Sequence, residues 1–252
     1  MKWQTFIKRL VLVIAIIVMW HMAALKVNHL FVPDPRDVLK DLIISIQTGA
    51  LQKATIYTLR RIFIAVLLSI GISLPIGLAV YNVPIIKDII YPVIMALRYI
   101  PVTAFYPLLI MWFGINEMMK VIFLFVAMFV SMMPSVILCL EEINEDLINT
   151  GITMGMDRFQ LVLLVQLPAT LPSIMKSFII TIGIGFSYIA VCETINAVYG
   201  LGWIIQQNSS RGRTDMVFMA IIVLIVLSVI FDMVGNLLVK KIFKWRYLKA
   251  DD

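Results

Sequence analysis

The sequence predicts an all-α membrane protein with six transmembrane helices, on three observations. Hydrophobic residues fill 62% of the 252 positions and charged residues only 14%, with mean hydropathy +0.99; soluble domains sit at roughly one half and one quarter. Apolar runs long enough to cross a hydrocarbon core, about 20 residues each, recur along the whole chain. None alternates with the roughly ten-residue pattern of a membrane barrel strand, and an isolated strand in lipid leaves its backbone unpaired, so the runs are expected to be helices.

The first run, 10–25, follows Lys2, Lys8 and Arg9. It lacks a small-x-small cleavage site before the next polar segment, and so reads as a retained span rather than a signal peptide. Pro33-Asp34-Pro35 then breaks the chain. Over 36–47, Val38, Leu39, Leu42, Ile43 and Ile46 fall at helical spacing with charges opposite. That segment is too short and too charged to cross, and a surface amphipathic helix is expected. Span two, about 56–80, carries Ser69, Gly71, Ser73 and Gly77 for close helix packing and Pro75 as a kink. Span three, about 85–113, holds Pro92, Pro101 and Pro107 and is not expected to be one straight helix. Span four covers about 118–140.

A polar loop comes next, about 141–168, and it is the segment richest in local signals. Thr150 to Thr153 read as helix, Gly155 as a turn of low steric cost, and Asp157 with Gln160 as a capping box that starts the next helix. Leu167-Pro168 stands where that helix meets span five, about 171–197. Span six, about 216–239, ends in a basic tail. The whole chain, 1–252, reads as a single transmembrane domain with its core at about 55–243. Six spans put both termini on one side. Placing them in the cytoplasm gives about eleven Lys and Arg inside against nine outside, the nine including Arg61 and Lys120.

The net charge of +6 gathers partly at the two ends, as cytoplasmic anchors do, and does not suggest nucleic-acid binding. There is no Gly-x-x-x-x-Gly-Lys-Ser/Thr loop for ATP. His21 and His29 are the only histidines, and Cys139 and Cys192 lie in apolar runs, so no catalytic or metal site is expected. The energy source is then a separate protein or an ion gradient. Arg98 and Glu193 are ionisable residues inside apolar runs, where a charge needs a partner or a wet cavity. They could pair across a path, Arg98 could meet an anion, or each could snorkel from a span end. Tyr188, Thr194 and Asn196 are further candidate path-lining residues. Asp232 reads as a helix-contact acid, and Trp20, Trp112, Trp203 and Trp245 as interface anchors.

The loop at 149–168 resembles the cytoplasmic coupling loop of ABC importer permeases. Its signature is Glu-Ala-Ala, three residues, Gly, nine residues, Ile, one residue, Leu-Pro. Gly155, Val165, Gln166 and Leu167-Pro168 match in spacing, while Asn149, Thr150 and Gly151 stand where Glu-Ala-Ala would. That departure bears on the ion pair the family makes there with its ATPase subunit. Other stretches match in order along the chain. Arg98-Tyr-Ile-Pro101 through Pro107-Leu and Trp112-Phe113-Gly114-Ile115 resembles a stretch of the subfamily that handles nitrate, sulfonates, taurine, bicarbonate and some vitamin precursors. Thr58-Leu-Arg60-Arg61, Gly200-Leu-Gly202-Trp203, Arg213-Thr-Asp215 and Lys244-Trp-Arg246 resemble others of its motifs.

The resemblance implies a permease dimer, expected to be a homodimer, in a bacterial cytoplasmic membrane. Two cytoplasmic ATP-binding subunits would carry ATP and Mg, this chain would bind no cofactor, and an extracytoplasmic binding protein would deliver a small solute for alternating access. Asn149, Thr150, Gly151, Ile152, Met154, Gly155, Met156 and Asp157 would be the coupling residues. Ile152 to Met156 would meet the partner, and Phe159 would pack on its own chain. An ion-gradient transporter is the alternative; such folds usually show internal repeats, and none is visible between the halves of this chain.

Overall fold

A computed structural model describes residues 2–97, 99, 101–195 and 197–247. Among them there is no strand. The helices run in order: α1 (Lys2–Lys26), α2 (Pro35–Gln47), α3 (Ala50–Asn82), α4 (Pro84–Leu97), α5 (Tyr106–Phe113), α6 (Glu117–Glu141), α7 (Glu145–Thr153), α8 (Arg158–Gln160), α9 (Leu167–Thr194), α10 (Leu201–Ser209), α11 (Thr214–Ile242) and α12 (Lys244–Tyr247). A 3-10 turn, Val102–Phe105, precedes α5, and a π-helix, Leu161–Gln166, precedes α9.

Four segments are long and apolar enough to cross a membrane: α3, α6, Arg158–Thr194 and α11. The pair α4 and Val102–Phe113 is apolar enough only when taken together and is bent by 92°, the form of a broken span or a re-entrant loop. Pro101 stands at the interruption, just before the 3-10 turn, and lacks the N–H a helix interior needs, whereas Pro107 sits in the first turn of α5, where none is required. The expected first span lies within α1, a helix of 25 residues whose apolar part is Leu10–Lys26.

The chain divides into two compact units, Met1–Leu59 with Glu193–Val226, and Arg60–Cys192 with Leu227–Asp252. In the first, Asp34 caps α2 by accepting from the Arg36 N–H at 2.8 Å, with Pro35 opening the helix, where no intrahelical N–H is required. Trp20 donates from Nε1 to the Pro33 carbonyl at 3.0 Å and stacks on Phe218. The inner face of α2 is Val38, Asp41 and Ser45, while Leu39, Ile43 and Ile46 remain exposed. The apolar stripe is therefore the outer face, and a carboxylate lies within the inner one.

In the second unit α6 is the most buried of the four long helices. Met132, Val136, Leu140, Ile143 and Ile174 form one core cluster, and Val80, Ile94, Met133 and Ile137 another. At Gly77 α3 comes close to α6: a Cβ there would lie 2.5 Å from Val136 Cγ1. Gly235 plays the same part between α11 and Ile179. Both fit the small-residue packing of membrane helices, where close approach replaces the hydrophobic drive.

Candidate functional site

The polar loop is built by short-range signals. Asn144 caps α7, accepting from the Asp146 N–H at 2.9 Å, and the helix ends at Met154. Gly155 then takes φ +81°, a conformation L side chains rarely adopt, with open space around it. Asp157 accepts from the Gln160 N–H at 2.8 Å, and its own N–H donates back to Gln160 Oε1 at 3.0 Å, the complete capping box. Beyond Gln160 the chain departs from the expected plain α-helix. The Leu167 N–H donates to the Val162 carbonyl, five residues back, in the π-helix Leu161–Gln166. Pro168 directly after it has no N–H to give and disfavours the tighter α register.

This loop presents apolar side chains outward. Ile152 is 56% exposed, Met154 72% and Phe159 71%; the expectation that Phe159 packs on its own chain is not met. Asn149, Thr150, Thr153, Gly155 and Asp157 are exposed as well, and Met156 is half-buried. Gly151 is different. It is buried against the next helix, and a Cβ there would lie 2.6 Å from Leu161 Cδ2 and 3.3 Å from Met156 Sδ. Its smallness serves this chain's own packing. A shallow cavity of about 340 Å³ on α7 is lined by Asp146, Asn149, Thr150, Thr153 and Met154. The loop is tied to α3 by a reciprocal amide pair: Asn82 Nδ2 donates to Gln166 Oε1 and Gln166 Nε2 to Asn82 Oδ1, both at 2.9 Å.

Of the expected path residues, Arg98 and Asn196 lie outside the described residues. Glu193 does not snorkel, being fully buried. Its carboxylate accepts from Thr58 Oγ1 at 2.9 and 3.0 Å and from the Gly202 N–H at 2.8 Å, and the Leu201 N–H donates to Thr58 Oγ1 at 2.9 Å. A carboxylate at the first turn of α10 satisfies N–H groups that have no partner within the helix. Thr194, next to it, is half-buried. Tyr188, on the same helix, meets Phe123 edge to face at 6.0 Å, and Tyr106 donates to the Cys192 carbonyl at 3.1 Å.

Two polar clusters go beyond the sequence expectations. Arg61 and Lys120, expected among the loop charges outside the membrane, are each 2% exposed. Arg61 donates from Nε and Nη2 to the two Glu117 oxygens at 2.7 Å each, and Lys120 Nζ sits 3.0 Å from Oε1. Arg213 bridges Asp41, at 3.1 Å, and Asp215, at 3.3 Å. Burial, together with the neighbouring Asp215, pushes the Asp41 carboxyl above the usual carboxylate value, against the pull of Arg213. No group of three or more His, Cys, Asp or Glu among the described residues could hold a metal ion.

The chain combines long apolar helices, as a membrane protein does, with a polar, Gly-turned loop. Residues 69–244 match the family described as binding-protein-dependent transport system inner membrane component, and the chain belongs to it, as an ABC transporter permease of the importer class. Among curated relatives, the taurine transport system permease protein TauC of Escherichia coli K12 is 28% identical over 97% of this chain and 94% of its own. A putative aliphatic sulfonates transport permease protein of Bacillus subtilis is 27% identical, over 82% of this chain and 74% of its own. A solved chain of the MetNI methionine ABC transporter, inward facing, superposes with TM-score 0.68 at 23% identity, over 77% of this chain and 97% of that one. It shares the fold.

Proposed function

We propose that this chain forms the membrane path of a binding-protein-dependent ABC importer for a small organic anion of the sulfonate type. It works by alternating access, driven by ATP hydrolysis on two cytoplasmic partner subunits. Its six spans are α1, α3, the bent pair α4–α5, α6, α8–α9 and α11, with both termini in the cytoplasm. The chain itself carries no ATP site; ATP and Mg belong to the partners. An extracytoplasmic binding protein hands over the solute, as the family's description implies. The names of the taurine and sulfonate relatives support the anion class.

The observation that carries the coupling role is the two-sided construction of α7. Gly151 is packed inward against Leu161 while Ile152 and Met154 stand exposed beside it. Exposed apolar side chains on a helix seated this closely suit a groove on another protein. Motion of the partner then passes through Gln166 and its amide pair with Asn82. A second permease copy is supported by Asp232, which lies exposed midway along α11 among Met233, Val234 and Val229. A carboxylate facing hydrocarbon there costs several kcal/mol, so a protein surface is the better neighbour.

The deciding experiment is copurification from native membranes with ATPase assay, comparing the natural chain with Gly155→Arg. Gly155 sits in open space but at φ +81°, so an arginine strains the turn by about 1 kcal/mol and places a long cation against whatever docks on the loop. An ATP-binding subunit should copurify, and the substitution should release or uncouple it. Solute uptake that tracks an ion gradient with no ATPase present would overturn the reading.

A further inference from the structure

We propose that Lys53, Tyr57, Tyr199 and Trp203 form a binding site for a small organic anion with a short apolar tail, such as an alkyl sulfonate. Lys53 and Tyr57 lie one helical turn apart on α3, on one face. The Lys53 ammonium sits 3.7 Å above the centre of the Tyr199 ring. The Tyr57 ring lies 5.2 Å from Tyr199, and Trp203 lies 6.4 Å beyond it. Lys53 is exposed and the three rings are half-buried.

Lys53 stands outside the ion pairs that hold several other cations. Lys40, Lys87 and Arg213 each have a carboxylate partner, as do Arg61 and Lys120. Among the described residues no carboxylate pairs with Lys53. Its ammonium lies over the face of Tyr199, and aromatic faces attract a cation and repel an anion. An arriving anion therefore meets the ammonium, and the rings take its tail. The platform is fixed from behind. Thr58 comes directly after Tyr57, Gly200 directly after Tyr199, and Gly202 precedes Trp203; Thr58 and Gly202 both hydrogen-bond the buried Glu193. Gly200 has φ +148°, and a Cβ there would run into that carboxylate. Such preorganisation reduces the ordering cost of binding.

That the ligand is cargo rests on the importer reading; that the site takes an anion does not. An anionic lipid offers the same combination of head and tail, so the test separates the two. The complete transporter, in nanodiscs of phosphatidylcholine, is titrated with 1-butanesulfonate by calorimetry and tryptophan fluorescence. Saturable binding is expected, with the Trp203→Phe variant losing the fluorescence change. Lys53→Gln should weaken binding by about tenfold or more, Lys53→Arg should keep it, and Lys40→Gln should leave it unchanged. Butylammonium should bind more weakly than the sulfonate. Unchanged binding in Lys53→Gln overturns the site, as does tighter binding of butylammonium. Loss of binding when phosphatidylglycerol replaces half of the phosphatidylcholine assigns the cluster to lipid headgroups and also overturns it. If no ATP-binding subunit copurifies, the importer reading falls, and the same titration on the permease alone still decides the site.

Discussion

Glu117 is a carboxylate shared by two buried cations, Arg61 and Lys120. Glu117→Gln keeps the shape and removes the charge. Its side chain is 58% exposed, so water screens part of the interaction, and a loss of about 1–3 kcal/mol is expected. A Tm fall of several degrees in detergent checks it; an unchanged Tm would show that the cations are satisfied without it. Asp34 gives the pH test. The Arg36 N–H, above all, holds its carboxyl below the ordinary 3.8. A lowered pKa stabilises the folded state above that ordinary value, and the contribution is lost as pH falls through the lowered one. Protection of the amides at the start of α2, relative to their intrinsic exchange rate at each pH, should therefore fall below about pH 3.8, and Asp34→Asn should flatten the dependence.

At the scale of the element, the two loop glycines separate packing from backbone strain. Gly151→Ala drives a methyl towards Leu161 and should cost about 1–3 kcal/mol through overpacking. Gly155→Ala meets nothing within 4 Å and should cost about 1 kcal/mol through its positive φ alone. Solute moved per ATP hydrolysed should drop further in Gly151→Ala; equal coupling in both would detach α7 from the transmission route. The same segment shows what a sequence makes legible. The Asp157–Gln160 box and the Gly155 turn are decided by neighbours three or fewer positions away, and both are in place. The π-helix is not legible, because Leu161-Val-Leu-Leu-Val165 suits α equally well; only Pro168 hints at it. Thr58 and Glu193 are 135 positions apart and Arg61 and Glu117 56 apart. Hydropathy registers such residues as charges near span ends, and burial by a distant partner leaves no mark on periodicity. The expectation for Phe159 fails for a related reason: an aromatic in a helix reads as buried unless its neighbours are known.

Across the whole molecule, the outer faces of α1 and α11 leave many large apolar side chains exposed, among them Leu12, Ile16, Ile225 and Leu237. Lipid covers most such surface, but Asp232 needs protein or water. Native mass spectrometry of the solubilised complex should give two copies of this chain with two ATP-binding subunits; a single copy would sink the dimer. The four long apolar helices are legible as runs of hydropathy.

The π turn between the loop and α9 has a mechanical consequence. It holds one residue more than an α-helix needs, absorbed in a local bulge. Tightening that bulge to α without deleting a residue would swing the loop by about 100° around the axis of α9 and advance it about 1.5 Å. The joint would then have two seats, bulged and tightened, like a detent in a gear train. A chain shortened by one residue within 161–166 should stay in phase and lose only the second seat.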